Sequence, residues 1–157
     1  MILLLLGTNP YPFNRLLYAV NEWSENNNVH VIAQTGHTES DNVSIDCYKF
    51  VDHAQILKWI DLAEFVITQG GFGGIKDCLS LDRKVLAVPR QIEFGECADD
   101  QNELVEALRE QGKIMVLNNV ELLEESIIKL NQFSPALSTS TGLSSSLAGL
   151  LDDYASE

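Results

Sequence analysis

Short apolar runs alternate along this chain with segments whose apolar residues recur at helical spacing. Continuous apolar runs of this length are typical of strands that are buried on both faces of a parallel sheet. The predicted strands are Ile2–Leu6, Val29–Ala33, a weaker third at Ile45–Phe50, Phe65–Thr68, Val85–Val88 and Ile114–Leu117. Strands that alternate with helices favour right-handed crossovers and helices on both faces of the sheet. The predicted fold class is therefore α/β, with a Rossmann-like doubly wound parallel sheet.

Helices are predicted between these strands, and a tail follows the last of them. The predicted helices are Phe13–Asn26, one capped by Asp52, one after Gly74, one that ends before Gly112, and Val120–Leu130. A chain of 157 residues is close to the size of one domain, and we assign residues 1–132 to it. Residues 133–157 are interpreted as a Ser/Thr-rich linker with a short amphipathic helix at Leu143–Tyr154, which is either a frayed terminus or a docking segment.

The formal net charge of −13 restricts the partners of such a chain. Its long-range field repels nucleic acids and anionic bilayers, so we expect no nucleic-acid binding. No apolar run approaches the roughly 20 residues of a membrane helix, and direct membrane insertion is not expected. Cys47, Cys78 and Cys97 show no C-x-x-C spacing, which favours reduced thiols in a cytoplasmic protein. An anionic ligand would need local backbone amides and helix N-termini.

Polar and glycine-rich turns follow several of the predicted strands. In an open α/β sheet, ligands bind outside the carboxyl ends of the strands, which is where these turns fall. They are Gly7-Thr8-Asn9, Gln34-Thr35-Gly36, Gln69 to Gly74, and the loop from Arg90 to Gln101. The four glycines among residues 70–74 leave backbone N–H groups able to face a phosphate, or they merely permit a tight turn and close helix packing.

Acidic and amide side chains that follow these turns allow two interpretations each. Asp77 is expected on the first turn of the helix that follows the glycines, where it accepts hydrogen bonds from ribose hydroxyls or simply stabilises the helix N-terminus. Glu96, Gln101 and Glu103 belong to a polar cluster that opens the next helix. Capping and solvation account for most of that cluster, while a glutamine that both donates and accepts suits sugar hydroxyls.

Other kinds of site are disfavoured by the residues. The turn at Gly71-Phe72-Gly73 lacks the third glycine of a dinucleotide-binding fingerprint, and no Walker A lysine is present. His30, His37 and His53 have no metal-ligand spacing, and no serine has a nucleophile-elbow context. No metal site is expected.

The order of the motifs resembles a known family. The matching segments are Gly7-Thr8 with Pro12 to Leu17, Gln34-Thr35-Gly36, Ala63 to Gly71, Val88-Pro89-Arg90, Phe94-Gly95-Glu96 and Asp100-Gln101. Together they resemble the small capsular and exopolysaccharide glycosyltransferase subunits, which belong with the C-terminal half of family 28 glycosyltransferases. Relatives are the bacterial lipid II N-acetylglucosaminyltransferase and the soluble subunit of the dolichol-linked chitobiose synthase.

The resemblance implies the C-terminal, donor-binding half of a GT-B fold and a UDP-sugar as donor substrate, without a metal cofactor. The implied substrate-binding residues are Gly7, Thr8, Gln34, Gln69, Gly70, Gly71, Phe72, Gly73, Gly74, Asp77, Arg90, Glu96, Gln101 and Glu103. The glycine turn would hold the diphosphate, Asp77 the ribose, and Gln101 with Glu103 the sugar.

The resemblance also implies a partner. The acceptor site and the catalytic base would lie on a membrane-associated subunit, which would hold this chain at the inner face of the membrane. The reaction would be inverting sugar transfer to a lipid-linked acceptor in polysaccharide or glycolipid biosynthesis. A non-catalytic nucleotide-sugar-binding or regulatory subunit, and an unrelated Rossmann-like protein, remain as alternatives.

This chain differs from the family pattern in the same turns. Family members often carry His at the position of Gln69 and Glu at the position of Asp77. Two further histidines of the family are missing from the stretch that runs from Glu96 to Gln101. The lost imidazoles remove donors that could contact a diphosphate or a sugar.

Overall fold

The computed structural model describes residues 1–99 and 102–136. The strands in this part of the chain are β1 (Ile2–Leu5), β2 (Val31–Gln34), β3 (Asp46–Tyr48), β4 (Val66–Gln69), β5 (Val85–Val88) and β6 (Met115–Val116). They form one sheet in the order β3-β2-β1-β4-β5-β6, with each neighbouring pair parallel. The predicted doubly wound α/β fold is confirmed.

Five helices connect or follow these strands within the described ranges. They are α1 (Asn14–Asn27), α2 (His53–Leu62), α3 (Phe72–Ser80), α4 (Asn102–Glu110) and α5 (Leu123–Gln132). The carboxylate of Asp52 accepts a hydrogen bond of 2.8 Å from the backbone N–H of Gln55, so the predicted cap of α2 is present. The last predicted helix begins instead as a 3₁₀ turn at Val120–Leu122 before α5.

Alternate residues of the strands pack into two separate apolar layers. Ile2 and Leu4 lie in the layer covered by α1 and α5, whereas Leu3 and Leu5 lie in the layer beneath α3 and α4. Since successive side chains of a strand point to opposite faces, a run that is apolar throughout can bury both faces. This explains why the central strands show no alternation of polar and apolar residues.

Strand β3 is shorter than predicted because it lies at the edge of the sheet. It has β2 as its neighbour on one side, and Asp46 and Tyr48 are exposed. At the other edge, pairing of β6 with β5 is limited to Met115 and Val116. Edge strands have one neighbour to hold them, so their ends leave the ladder sooner than those of β1 or β4.

The strand order reverses between β1 and β4. From β1 the chain adds β2 and β3 on one side, and it then returns to place β4 on the other side of β1. The loops that leave β1 and β4 therefore diverge to opposite faces and open a crevice at the carboxyl edge.

A glutamine side chain joins the loops that follow β1 and β3. The amide of Gln34 accepts from the N–H of Gly7 at 3.0 Å, and it donates to the carbonyls of Gly7 at 3.0 Å and Lys49 at 2.8 Å. Gly36 packs beside this bridge with φ +57, where an added Cβ would lie 2.2 Å from the Gly7 carbonyl oxygen. The bridge therefore requires glycine at position 36.

No helix within residues 1–99 and 102–136 has the length and apolar character needed to cross a bilayer. The thiol of Cys78 is buried, and burial raises its pKa to about 12. Cys78 therefore acts as a core group and not as a nucleophile.

We expect Gly36→Ala to lower the free energy of unfolding by roughly 3 kcal/mol, from left-handed strain and the clash with Gly7 together. Gly95→Ala is the matched control, because Gly95 also has positive φ but an added Cβ finds nothing within 4 Å. Its expected cost is about 1 kcal/mol. Urea denaturation followed by circular dichroism measures both, and equal costs would contradict a tight Gly7–Gly36 contact.

Candidate functional site

A crevice of about 390 Å³ opens where the strand order reverses. Its volume falls within the range of ligand-binding pockets. Its walls come from the carboxyl ends of β1, β2 and β4, the loop after β3, and the first turns of α2 and α3. The lining residues are Leu5, Gly7, Thr8, Gln34, Phe50, Val51, His53, Ile56, Thr68, Gln69, Gly71, Gly73, Gly74 and Asp77.

The N-terminus of α3 opens into this crevice. Gly71 is the N-cap residue and makes no side-chain capping hydrogen bond. The first N–H groups of a helix lack intrahelical partners and carry the positive end of the helix dipole. Gly73 is exposed, and a Cβ added there would meet no described atom within 4 Å. Gly71, Gly73 and Gly74 line the crevice, so the N-terminus of α3 borders it.

The glycines of this turn have different roles. Gly70 is buried, and an added Cβ would lie 3.0 Å from Cγ2 of Val105 on α4. At Gly74 the nearest atom would be Oγ1 of Thr68, at 3.3 Å. Close packing therefore accounts for Gly70, and in part for Gly74, while no packing partner accounts for Gly73.

Asp77 lies one turn deeper in α3 than predicted. Because α3 begins at Phe72, inside the glycine run, Asp77 is its sixth residue and not part of its first turn. Oδ2 of Asp77 is 2.9 Å from Nε2 of His53, the first residue of α2. The two helices thereby meet across the crevice, with the His53 side chain 68% exposed and that of Asp77 only 21%.

Arg90 follows β5 and points into the protein instead of into the crevice. The residue is 3% exposed, and its guanidinium donates to the carbonyls of Leu6 at 2.8 Å, Tyr11 at 2.7 Å and Glu96 at 2.9 Å, and to Oε1 of Gln69. Burial lowers its pKa to about 10, so it remains charged at neutral pH. The guanidinium carbon lies 4.8 Å from the ring centroid of Phe13.

The side chain of Glu96 is also engaged within the protein. Its carboxylate accepts two hydrogen bonds from Arg15, at 2.9 and 3.0 Å, and one from the backbone N–H of Gln91 at 3.0 Å. Bidentate geometry and burial make this a strong contact between α1 and the loop after β5.

The structure thus brings together part of the predicted set. Gly7, Thr8, Gln34, Gln69, Gly71, Gly73, Gly74 and Asp77 line the crevice. Gly70, Phe72, Glu96 and Glu103 are not among its lining residues, and Arg90 lies instead at a second, more open recess of about 590 Å³ with Gln91, Ile92, Glu93, Asn102 and Asn118. Gln101 lies outside the described residues, as does the Leu143–Tyr154 segment.

Sequence reasoning missed the wall formed by the loop after β3. Phe50, Val51 and His53 line the crevice, together with Ile56 on α2. The sequence predicts Asp52 as a helix cap, and a turn between a strand end and such a cap indicates a position at the carboxyl edge of the sheet. The strand pattern before Asp52 is weak, so this turn was not predicted to be part of the site.

Within residues 1–99 and 102–136, no group of three or more His, Cys, Asp or Glu side chains could hold a metal ion.

Residues 1–146 match the family model of the glycosyltransferase family 28 C-terminal domain. The chain belongs to this family. The alternative of an unrelated Rossmann-like protein is thereby excluded, and the resemblance found in the ordered motifs is confirmed.

Solved glycosyltransferases share the fold of this family 28 domain. The glycotransferase of kitacinnamycin matches with a TM-score of 0.63 and 17% identity over 99% of this chain and 39% of its own. Spinosyn forosaminyltransferase SpnP matches with a TM-score of 0.60 and 10% identity over 98% of this chain and 39% of its own. SnogD from Streptomyces nogalater matches with a TM-score of 0.58 and 12% identity over 96% of this chain and 43% of its own.

The family 28 domain spans about two fifths of the length of these structures. Its fold is that of the C-terminal half of a GT-B glycosyltransferase. No curated protein matches the chain significantly.

Proposed function

We propose that this family 28 domain binds the nucleotide of a UDP-sugar in the crevice and is the donor-binding subunit of a two-component inverting glycosyltransferase. The binding site for the lipid-linked acceptor and the catalytic base belong to a membrane-associated partner subunit. The observation that carries the proposal is the N-terminus of α3. It is rich in glycine, has no side-chain capping hydrogen bond and opens into a crevice that Asp77 also lines.

The diphosphate is assigned to the backbone amides of residues 72–74. A protein of net charge −13 offers no general attraction for an anion, so the binding energy must be local. Amides at a helix N-terminus supply donors and partial positive charge without a titratable side chain. Among the crevice-lining residues, His53 is the one whose side chain can carry a positive charge.

The nucleoside is assigned to the part of the crevice between Asp77 on α3 and the loop after β3. The carboxylate of Asp77 is an acceptor able to receive hydrogen bonds from ribose hydroxyls. Phe50 is 57% exposed and lines the crevice, with its ring held edge-on by His37 at a centroid distance of 5.1 Å. An exposed aromatic face beside Val51 suits a pyrimidine ring, since stacking on an aromatic side chain favours nucleobases.

The same amides are suited to the chemistry as well as to binding. Sugar transfer leaves negative charge on the departing diphosphate, and preorganised backbone donors stabilise charge that develops there. No metal ion is needed for that stabilisation. The assignment of the acceptor site to a partner rests on the resemblance of the ordered motifs to the small capsular and exopolysaccharide glycosyltransferase subunits.

A non-catalytic nucleotide-sugar-binding or regulatory subunit is the second candidate. It is favoured by Gln69, which stands where family members often carry His, because an imidazole that could donate to the diphosphate is missing there.

We expect Asp77→Asn to raise the Kd for UDP about ten-fold, because the amide replaces an acceptor for ribose hydroxyls with a weaker one. Asp61→Asn on α2 is the matched control, since Asp61 is exposed, pairs with Arg83 and lies outside the crevice lining. Isothermal titration calorimetry gives both constants. With 2′-deoxy-UDP the effect of Asp77→Asn should shrink. Tighter binding of UDP to the variant would mean that the carboxylate only repels the diphosphate.

Gly73→Ala is expected to keep or raise stability, by up to about 1 kcal/mol, because alanine favours helix and meets no neighbour. The same methyl group obstructs the amides of α3, so the Kd for UDP should rise about ten-fold while that for uridine stays unchanged. Gly70→Ala provides the contrast, with lower stability from contact with Val105. Unimpaired UDP binding by folded Gly73→Ala protein would refute the phosphate assignment.

Transfer activity is expected only when the partner is present. The purified chain should bind UDP without transferring sugar, and membranes that contain the co-expressed partner should restore UDP release in the presence of a lipid-linked acceptor. Transfer by the chain alone would contradict the two-component proposal. UDP binding without transfer under either condition would favour the non-catalytic candidate.

A further inference from the structure

The amide of Gln69 lines the crevice and lies between the turns after β1 and β4. A Cβ added to Gly7 would lie 1.8 Å from Nε2 of Gln69, and one added to Gly71 would lie 3.0 Å from the same atom. Both glycines therefore leave room for this side chain. Gly7 also donates its own N–H to Gln34, so that amide is already engaged.

Arg90 determines which end of the amide faces the crevice. Its Nε donates a hydrogen bond to Oε1 of Gln69. A guanidinium has donors and no acceptor, so only the oxygen of the amide can face it. Three backbone carbonyls hold the other nitrogens of Arg90 in place, at 2.7 to 2.9 Å. The orientation of the Gln69 amide is therefore fixed by a buried cation that cannot swing away.

The NH₂ group of Gln69 is then left pointing away from Arg90. In residues 1–99 and 102–136, Nε2 of Gln69 donates to no hydrogen-bond acceptor. No buried side-chain nitrogen or oxygen in these ranges lacks a partner, so Nε2 is accessible to solvent. Gln69 lines the crevice beside Gly7, Gly71 and Gly73.

We infer that Nε2 of Gln69 is a phosphate donor and that Arg90 is the positioning residue that aims it. This inference rests on the proposed function, because it assigns the acceptor to an oxygen of the nucleoside diphosphate. The amide supplies a donor at a position where family members often carry His, and it does so without a titrating ring. Arg90 acts through Gln69 and through the loops it holds, and it does not touch the ligand.

The first test replaces the donor by an acceptor. Gln69→Glu keeps the size of the side chain and an oxygen toward Arg90, but it removes both N–H groups and adds a charge. The Kd for UDP is expected to rise at least about ten-fold, while the Kd for uridine, which has no phosphate, stays within about two-fold. Gln132→Glu at the exposed end of α5 is the control for the added charge, with no change expected.

The second test asks whether Arg90 acts through Gln69. Kd values for UDP are measured for Gln69→Ala, Arg90→Lys and the double variant, with circular dichroism to verify folding. Arg90→Lys should weaken UDP binding more in the wild-type background than in the Gln69→Ala background, since the Gln69–Arg90 contact is already lost in the latter. A purely structural role for Arg90 would give additive losses.

The outcomes separate the inference from the function on which it rests. If the wild-type chain does not bind UDP, the proposed function fails. If it binds UDP but Gln69→Glu weakens UDP and uridine equally, or neither, the donor assignment is overturned. If Arg90→Lys does not fold, the comparison of Gln69→Ala with Gln69→Glu decides the donor assignment of Gln69, because a lost donor weakens UDP binding in both variants.

Discussion

The carboxyl edge of this domain depends on one buried cation. Arg90 contacts the carbonyl of Leu6 after β1, the side chain of Gln69 at the end of β4, and the loops that contain Tyr11 and Glu96. Burying a charge costs several kcal/mol, and these acceptors together offset that cost. Its pKa is lowered to about 10 by burial, yet it stays protonated at neutral pH. The turns that form the crevice floor are therefore held together from within.

An acidic protein can still offer an anion a favourable site if the positive ends of backbone dipoles are concentrated there. Arg15 and Arg90 are both engaged by the protein, since Arg15 pairs with Glu96 and Arg90 with backbone carbonyls. The crevice instead presents the first turn of α3 and the exposed imidazole of His53. The backbone donors of α3 are fixed in geometry and do not attract the wrong anions over long range.

The glycine turn combines two physical requirements in a few residues. Gly70 allows α4 to approach the turn closely, and Gly71 leaves room for the Gln69 amide. Gly73 has no such neighbour, so its lack of a side chain leaves the helix N-terminus open. Conformational freedom matters elsewhere, at Gly7 and Gly36, where positive φ and close backbone contacts coincide. A single glycine-rich pattern thus contains both packing positions and positions that are open to the crevice.

The sequence by itself determined the alternation of strands and helices and the glycine turn after β4, because apolar periodicity and turn residues are local signals. The ordered motifs gave the resemblance to the family. The tertiary structure decided that Arg90 and Glu96 turn inward and that Phe50 and His53 face the crevice. It also moved Asp77 to the second turn of α3. Those outcomes depend on which loops the strand order brings together, and contacts between residues far apart in the chain leave no periodic trace in the sequence.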